Sequence, residues 1–215
     1  MEVGIKEIFT WPNGISAAGF GMAVKGVQKG LDTPEGAALV FAGRVFDLLD
    51  GYVARKTGQS SDLGAGIDAV LDKLGVSLII VDEVRRDILP KPVAAAIFAQ
   101  NAANALLTAG TGKKNPEISL VPTREGKYSM FGVNASLGFF SLSAIAKSQA
   151  EIIEEQLTGN FDLSQEDVSM LEEGLEFMNQ AAENTRNAAW ASAAVSLGYY
   201  GVKATGSYYR RYQTA

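Results

Sequence analysis

The sequence predicts an all-α protein of six helices, with an acidic helical insert between the fifth and the sixth. Three observations carry that expectation. Four runs of 16 to 21 residues contain no charged side chain, at Ile8–Val24, Pro92–Gly112, Tyr128–Ala146 and Asn187–Val202. Strand signals, meaning short alternating runs bounded by turn residues, are poor throughout. The stretch 150–184 holds ten of the 24 acidic residues and no Lys or Arg, so the 19 bases face only 14 acids in the rest of the chain.

The elements follow in order from this patterning. A first helix over 12–30 starts at Pro12-Asn13, a common helix-start pair. Thr33-Pro34 punctuates the chain before a second helix over 36–57, and a third spans 62–88. Pro90 and Pro92 precede a fourth helix over 92–110, and Pro116 and Pro122 precede a fifth over 126–148. A sixth covers 185–207. Within the acidic segment, Ile152, Ile153 and Leu157, then Val168, Leu171, Leu175 and Met178, recur at helical spacing, which predicts one or two surface amphipathic helices. No cleavable signal pattern, internal repeat or low-complexity tract is visible.

A bilayer-spanning helix needs about 20 mostly apolar residues. Two of the uncharged runs reach that length and two are borderline. All are diluted by Gly, Ala, Ser and Asn, which lowers hydropathy but suits close helix packing inside a membrane. The same composition also builds soluble helical bundles, so at this level both settings stay open.

Composition excludes several chemistries. The chain has no Cys and no His, which removes disulfides, thiolate nucleophiles, Cys-type zinc sites and every imidazole-dependent mechanism. A net charge of -5 argues against a generic nucleic-acid binder. Carboxylates, Lys, Arg, Tyr and Ser remain, and carboxylates favour hard cations such as Mg²⁺.

The informative stretch is 47–72, DLLDGYVARKTGQSSDLGAGIDAVLD. On a helix Asp47, Asp50, Gly51, Ala54 and Arg55 share one face, and Gly64, Asp68 and Asp72 share one face of the next helix. Two antiparallel neighbours would present two carboxylates each to the same space. Four clustered carboxylates repel one another unless cations neutralise them, so a pair of divalent metal ions is the physical expectation. Gly51, Ala54 and Gly64 lack bulk and leave room for a ligand against the backbone.

This spacing, D-x2-D-G-x2-A-R-x8-G-x3-D-x3-D, resembles the signature of the CDP-alcohol phosphatidyltransferase family at all eight positions. Thr10-Trp11-Pro12-Asn13-Gly14-Ile15-Ser16 is similar to the family's first-helix motif, and Gly126-Lys127-Tyr128-Ser129 to the opening of its fifth helix. The resemblance covers roughly residues 8 to 147. It implies a single six-transmembrane-helix domain over 1–215, usually a homodimer in the plasma or inner membrane, with its active site at the cytoplasmic surface. The basic residues Lys6, Arg55, Lys56, Lys113, Lys114, Arg124, Lys127, Arg210 and Arg211 would then lie inside, as the positive-inside tendency prefers, whereas Arg85, Arg86 and Lys91 would not. Departures exist: the family's first helix often carries an Arg where this chain reads Ala17-Ala18-Gly19-Phe20, and the insert at 150–184 is unusual.

The activity the resemblance implies is transfer of a phosphatidyl group from CDP-diacylglycerol to a small polar alcohol, with release of CMP. Asp47, Asp50, Asp68 and Asp72 would hold two Mg²⁺ or Mn²⁺ ions, with Asp72 also the general base. Gly51, Ala54, Arg55, Gly64 and Asn13 would contact the nucleotide. Arg124 and Lys127 are the candidates for an acceptor phosphate, with ordinary lipid headgroup contact as the alternative. Glycerol 3-phosphate is the expected acceptor, ahead of inositol phosphate, serine or phosphatidylglycerol. Tyr199, Tyr200, Tyr208, Tyr209 and Tyr212 read as an interfacial aromatic belt with Arg210 and Arg211 snorkelling, and Arg85 and Arg86 as interfacial anchors. A non-catalytic helical membrane interaction protein is the reading from another class.

Overall fold

The computed structural model describes residues 11–57, 62–115, 123–159 and 163–215, and every regular element among them is helical. The chain divides into two compact units, Met1–Arg86 and Asp87–Ala215.

The first unit holds α1 (Trp11–Lys29), α2 (Pro34–Thr57) and α3 (Asp62–Arg85). The two backbones of the α1–α2 hairpin meet at glycines. A methyl group on Gly26 would lie 2.6 Å from the Gly36 carbonyl oxygen, and one on Gly43 would lie 2.5 Å from the Gly19 carbonyl oxygen. Both pairs keep one antiparallel register, so the helices touch where neither has a side chain. Gly30 ends α1 with φ +97°, a left-handed conformation that favours glycine. Thr33 then caps α2: its hydroxyl oxygen accepts from the Gly36 N–H at 3.1 Å, and Pro34 opens the helix.

Arg86 fastens this turn to the end of α3. Its Nε donates to both Asp82 carboxylate oxygens at 3.0 Å, and its Nη1 donates to Asp32 at 2.9 Å. Two carboxylates lie within reach of its one guanidinium fork, a pairing that the expectation of an interfacial anchor does not include. On α3, Val76, Ile79, Ile80 and Glu83 are buried at i, i+3, i+4 and i+7. The helix stops at Arg85, short of the expected 88, as Asp87 adopts φ +56°.

The second unit holds α4 (Lys91–Lys114), α5 (Arg124–Thr158), α6 (Gln165–Ala193), a π-helical stretch at Ala194–Gly201 and α7 (Val202–Thr214). Helices α5 and α6 pair antiparallel through three serines spaced seven apart. Ser129 Oγ donates to the Ser196 carbonyl at 2.9 Å, Ser136 Oγ to Ala189 at 3.1 Å and Ser143 Oγ to Ala182 at 2.8 Å. Each step of seven on α5 meets a step of seven on α6 and the π-helical stretch, so one register holds over four turns. A short side chain that satisfies its own hydroxyl on the facing backbone allows close approach without an orphaned polar group. The wider π turn falls at the top of this ladder, where a methyl group on Gly132 would meet Ser196 Cβ at 2.6 Å.

This register corrects the expected boundaries. The fifth helix does not stop at 148, and the last does not start at 185. Rather than separate surface helices, the acidic segment forms the distal turns of α5 and the first half of α6. No Pro or Gly interrupts 139–158, and buried Ala146 and Ala150 continue the inner face beyond the last serine. The predicted stripe of Ile153, Leu157, Val168, Leu171, Leu175 and Met178 is half-buried as expected, whereas Ile152 is exposed. Ser164 and Asp167 form a reciprocal capping box that starts α6.

Among the described residues two helices, α4 and α5, are long and apolar enough to cross a membrane. In a soluble bundle such helices are core helices, yet only 17% of the apolar window of α4 and 39% of that of α5 are buried. Leu106 and Phe131 are three-quarters exposed. Large apolar side chains turned outward on apolar helices suit a lipid surround better than water.

Two measurements check this account. Ser136→Ala, which removes one interhelical hydrogen bond, is expected to cost about 0.5 to 1.5 kcal/mol, and Ser136→Leu markedly more by forcing the backbones apart; thermal unfolding in detergent compares them. The Ser164 hydroxyl, and then its backbone N–H, hold the Asp167 carboxyl below the usual carboxylate range. A lowered carboxylate stabilises the folded state above its unfolded value and loses that contribution as pH falls through the folded one. Carboxyl-carbon NMR should therefore show Asp167 titrating below an ordinary aspartate, and Ser164→Ala should return it to the usual range.

Candidate functional site

The signature residues fall on two helices of the first unit. Asp47, Asp50, Gly51, Ala54 and Arg55 lie in α2, and Gly64, Asp68 and Asp72 lie in α3, with Asn13 in the first turn of α1. Both backbones are helical through these positions, so the sequence spacing becomes shared faces. The side chains of these nine residues lie outside the described part of the structure.

The turns beside them are described, and they converge. A cavity of about 20 Å³, room for roughly one water molecule, is lined by Ser16 and Phe20 of α1, Gly43 and Arg44 of α2, and Leu71 and Gly75 of α3. Ser16 is three residues after Asn13, Arg44 is three before Asp47, and Leu71 adjoins Asp72. Three motif-bearing segments therefore pack around one point. Among the described residues no cluster of three or more metal-ligating side chains occurs. The donor set that the sequence offers on α2 and α3 is all carboxylate oxygen, which fits a hard divalent cation and not a thiophilic one.

The candidate acceptor ligands belong to the second unit. Arg124 and Lys127 sit on the first turn of α5, both exposed. Thr123 caps this turn, its hydroxyl oxygen accepting from the Gly126 N–H at 3.1 Å. Arg124 Nε donates to the Tyr128 hydroxyl at 3.2 Å, within a cluster in which the Tyr128 and Tyr200 rings lie 5.4 Å apart.

Part of the expected aromatic belt has another role. Tyr208 is 9% exposed, and its hydroxyl oxygen accepts from the Thr123 N–H at 3.4 Å. Tyr212 packs against Gly110 and under the Lys114 ammonium, which also donates to the Tyr212 carbonyl at 3.0 Å. Sequence reasoning missed both, since spacing on one helix does not reveal which helix it faces. The glycine of Gly126-Lys127 was the available signal: a glycine at a helix start implies that something approaches its backbone.

Comparison with known proteins now bears on this arrangement. The CDP-alcohol phosphatidyltransferase family model matches residues 9–157, spanning α1 to α5 and every signature position. The chain belongs to the CDP-alcohol phosphatidyltransferase family, a family of membrane-embedded transferases. It is also similar to a CDP-diacylglycerol–serine O-phosphatidyltransferase of Methanocaldococcus jannaschii, 54% identical over 35 residues. That match covers 16% of this chain and 17% of the relative. No solved structure matches the chain.

The close contact before Asp47 generates a prediction. Gly43→Ala would press a methyl group onto the Gly19 carbonyl, a backbone atom that cannot rotate away. It should destabilise the protein by about 1 to 3 kcal/mol, read by thermal unfolding, and depress activity further than Gly14→Ala, whose added methyl meets nothing within 4 Å.

Proposed function

We propose that the protein is a phospholipid synthase that transfers a phosphatidyl group from CDP-diacylglycerol to an alcohol, releasing CMP. The observation that carries this reading is the complete eight-position signature on two helices whose adjoining turns pack around one cavity with α1. Asp47, Asp50, Asp68 and Asp72 would hold Mg²⁺ or Mn²⁺, in the family's manner two ions. Bound there, the metal would neutralise the charge of the pyrophosphate and of the departing CMP.

The chain's own residues do the rest. Gly51, Ala54 and Gly64 leave the backbone open to the cytidine, while Asn13 and Arg55 contact the nucleotide. Asp72 takes the proton from the acceptor hydroxyl as its oxygen bonds to phosphorus and the phosphorus–oxygen bond to CMP breaks. With no His in the chain, a carboxylate is the natural base. Six membrane spans, a homodimer and a cytoplasmic active site complete the reading. Two outward-facing apolar helices support the spans, and the bases at Lys113, Lys114, Arg124 and Lys127 support the orientation.

Glycerol 3-phosphate is the proposed acceptor, because Arg124 and Lys127 are two exposed cations on one helical turn and suit a phosphate. Serine is the second reading, favoured by the short match to the archaeal serine transferase. CMP release by detergent-purified protein, with CDP-diacylglycerol, Mg²⁺ and one alcohol at a time, separates them. One alcohol should drive release, and Asp72→Asn should lower it by about 10²- to 10⁴-fold while CDP-diacylglycerol still binds. A folded protein that binds no CDP-lipid would overturn the enzymatic reading and leave the interaction protein.

A further inference from the structure

The C-terminal helix α7 grips both ends of the connection between α4 and α5. At the α4 end, Lys114 donates to the Tyr212 carbonyl at 3.0 Å, and its ammonium lies 3.8 Å from the Tyr212 ring centre. At the α5 end, the buried Tyr208 hydroxyl accepts from the Thr123 N–H. The same hydroxyl lies 2.9 Å from where a Cβ on Gly126 would sit, with the ring edge at 3.5 Å. Thr123 and Gly126 are the cap and the third residue of the turn that presents Arg124 and Lys127. Further back, Asn104 Oδ1 accepts from the Thr205 hydroxyl at 2.9 Å, so α4 and α7 run side by side in one parallel register.

We infer that Tyr208 is a positioning residue for the acceptor: its hydroxyl seats on the first turn of α5 and fixes where Arg124 and Lys127 stand. A Cβ at Gly126 would lie 2.9 Å from this hydroxyl and 3.2 Å from Thr123 Oγ1, so the glycine before Lys127 leaves room for both. The positioning role gives α7, which lies beyond the residues matched by the family model, a part in substrate selection. The inference rests on the reading of Arg124 and Lys127 as acceptor ligands and deepens it.

The test uses the full-length protein in detergent with whichever of glycerol 3-phosphate or serine drives CMP release. Tyr208→Phe keeps the ring and loses the hydroxyl. It should raise the acceptor KM roughly fivefold, the effect of one hydrogen bond, and leave kcat and the KM for CDP-diacylglycerol within about twofold. Gly126→Ala should raise the acceptor KM as well. In the double variant Gly126→Ala/Tyr208→Phe the closest contact, at 2.9 Å, is gone and the Thr123 Oγ1 contact at 3.2 Å remains, so its acceptor KM should fall below that of Gly126→Ala towards that of Tyr208→Phe, a rescue that general destabilisation does not produce. Amide exchange at Thr123 should quicken in Tyr208→Phe whatever the acceptor does.

If Arg124→Ala and Lys127→Ala raise the acceptor KM while Tyr208→Phe does not, the positioning role is overturned and the acceptor reading stands. Equal rises in both substrates' KM, or a double variant worse than either single one, would likewise overturn it. If neither Arg124→Ala nor Lys127→Ala moves the acceptor KM, the acceptor reading itself fails and takes this role with it.

Discussion

Helix backbones approach one another in both units because the residues between them have almost no side chain. In the first unit glycines of α1 and α2 face each other's carbonyls at distances no Cβ would tolerate. In the second, three serines of α5 donate their hydroxyls to carbonyls of α6 and the π-helical stretch. Inside lipid the hydrophobic effect does not drive helices together, so packing and interhelical hydrogen bonds must do it. Gly and Ser at helical spacing supply both. The remaining features follow: the tight α1–α2 turn, the convergence of three motif-bearing segments, and the single register that carries α5 into the acidic region.

That register connects elements that look independent in the sequence. Gln100 of α4 donates to the Ser129 hydroxyl at 2.7 Å, and Ser129 donates in turn to the Ser196 carbonyl. One chain of hydrogen bonds therefore crosses α4, α5 and the π-helical stretch. A methyl group on Gly201 would meet the Gln100 side chain at 2.5 Å, so the same glutamine also lies on the backbone where α7 begins. Tyr208 and Tyr212 extend the contact to the ends of the α4–α5 connection. The start of α5 is thus set by residues some 85 positions downstream.

The distal hairpin differs from the rest in chemistry but not in geometry. The apolar stripe that predicts surface helices faces inward between α5 and α6, and the acidic residues take the exposed positions. The acidic residues sit on the last turns of α5 and the first turns of α6, on either side of the connection between them. The expected boundaries at 148 and 185 miss that α5 and α6 run on through the acidic segment as continuous helices.

The sequence by itself determined the helical class, the approximate position of the first four helices and the family, because periodicity, punctuation and an eight-position signature are local properties of a chain. It placed Asp47, Asp50, Asp68 and Asp72 on two shared faces, since those faces depend only on 3.6 residues per turn. Tertiary structure alone decided what each face meets. Arg86 was legible as a surface charge but not as the clasp between Asp32 and Asp82. Tyr208 was legible as one aromatic of a belt but not as the residue lying on Gly126. The length of α5 and α6 was hidden because a helix ends where its packing and capping end, and neither is visible until the partner helix is in place.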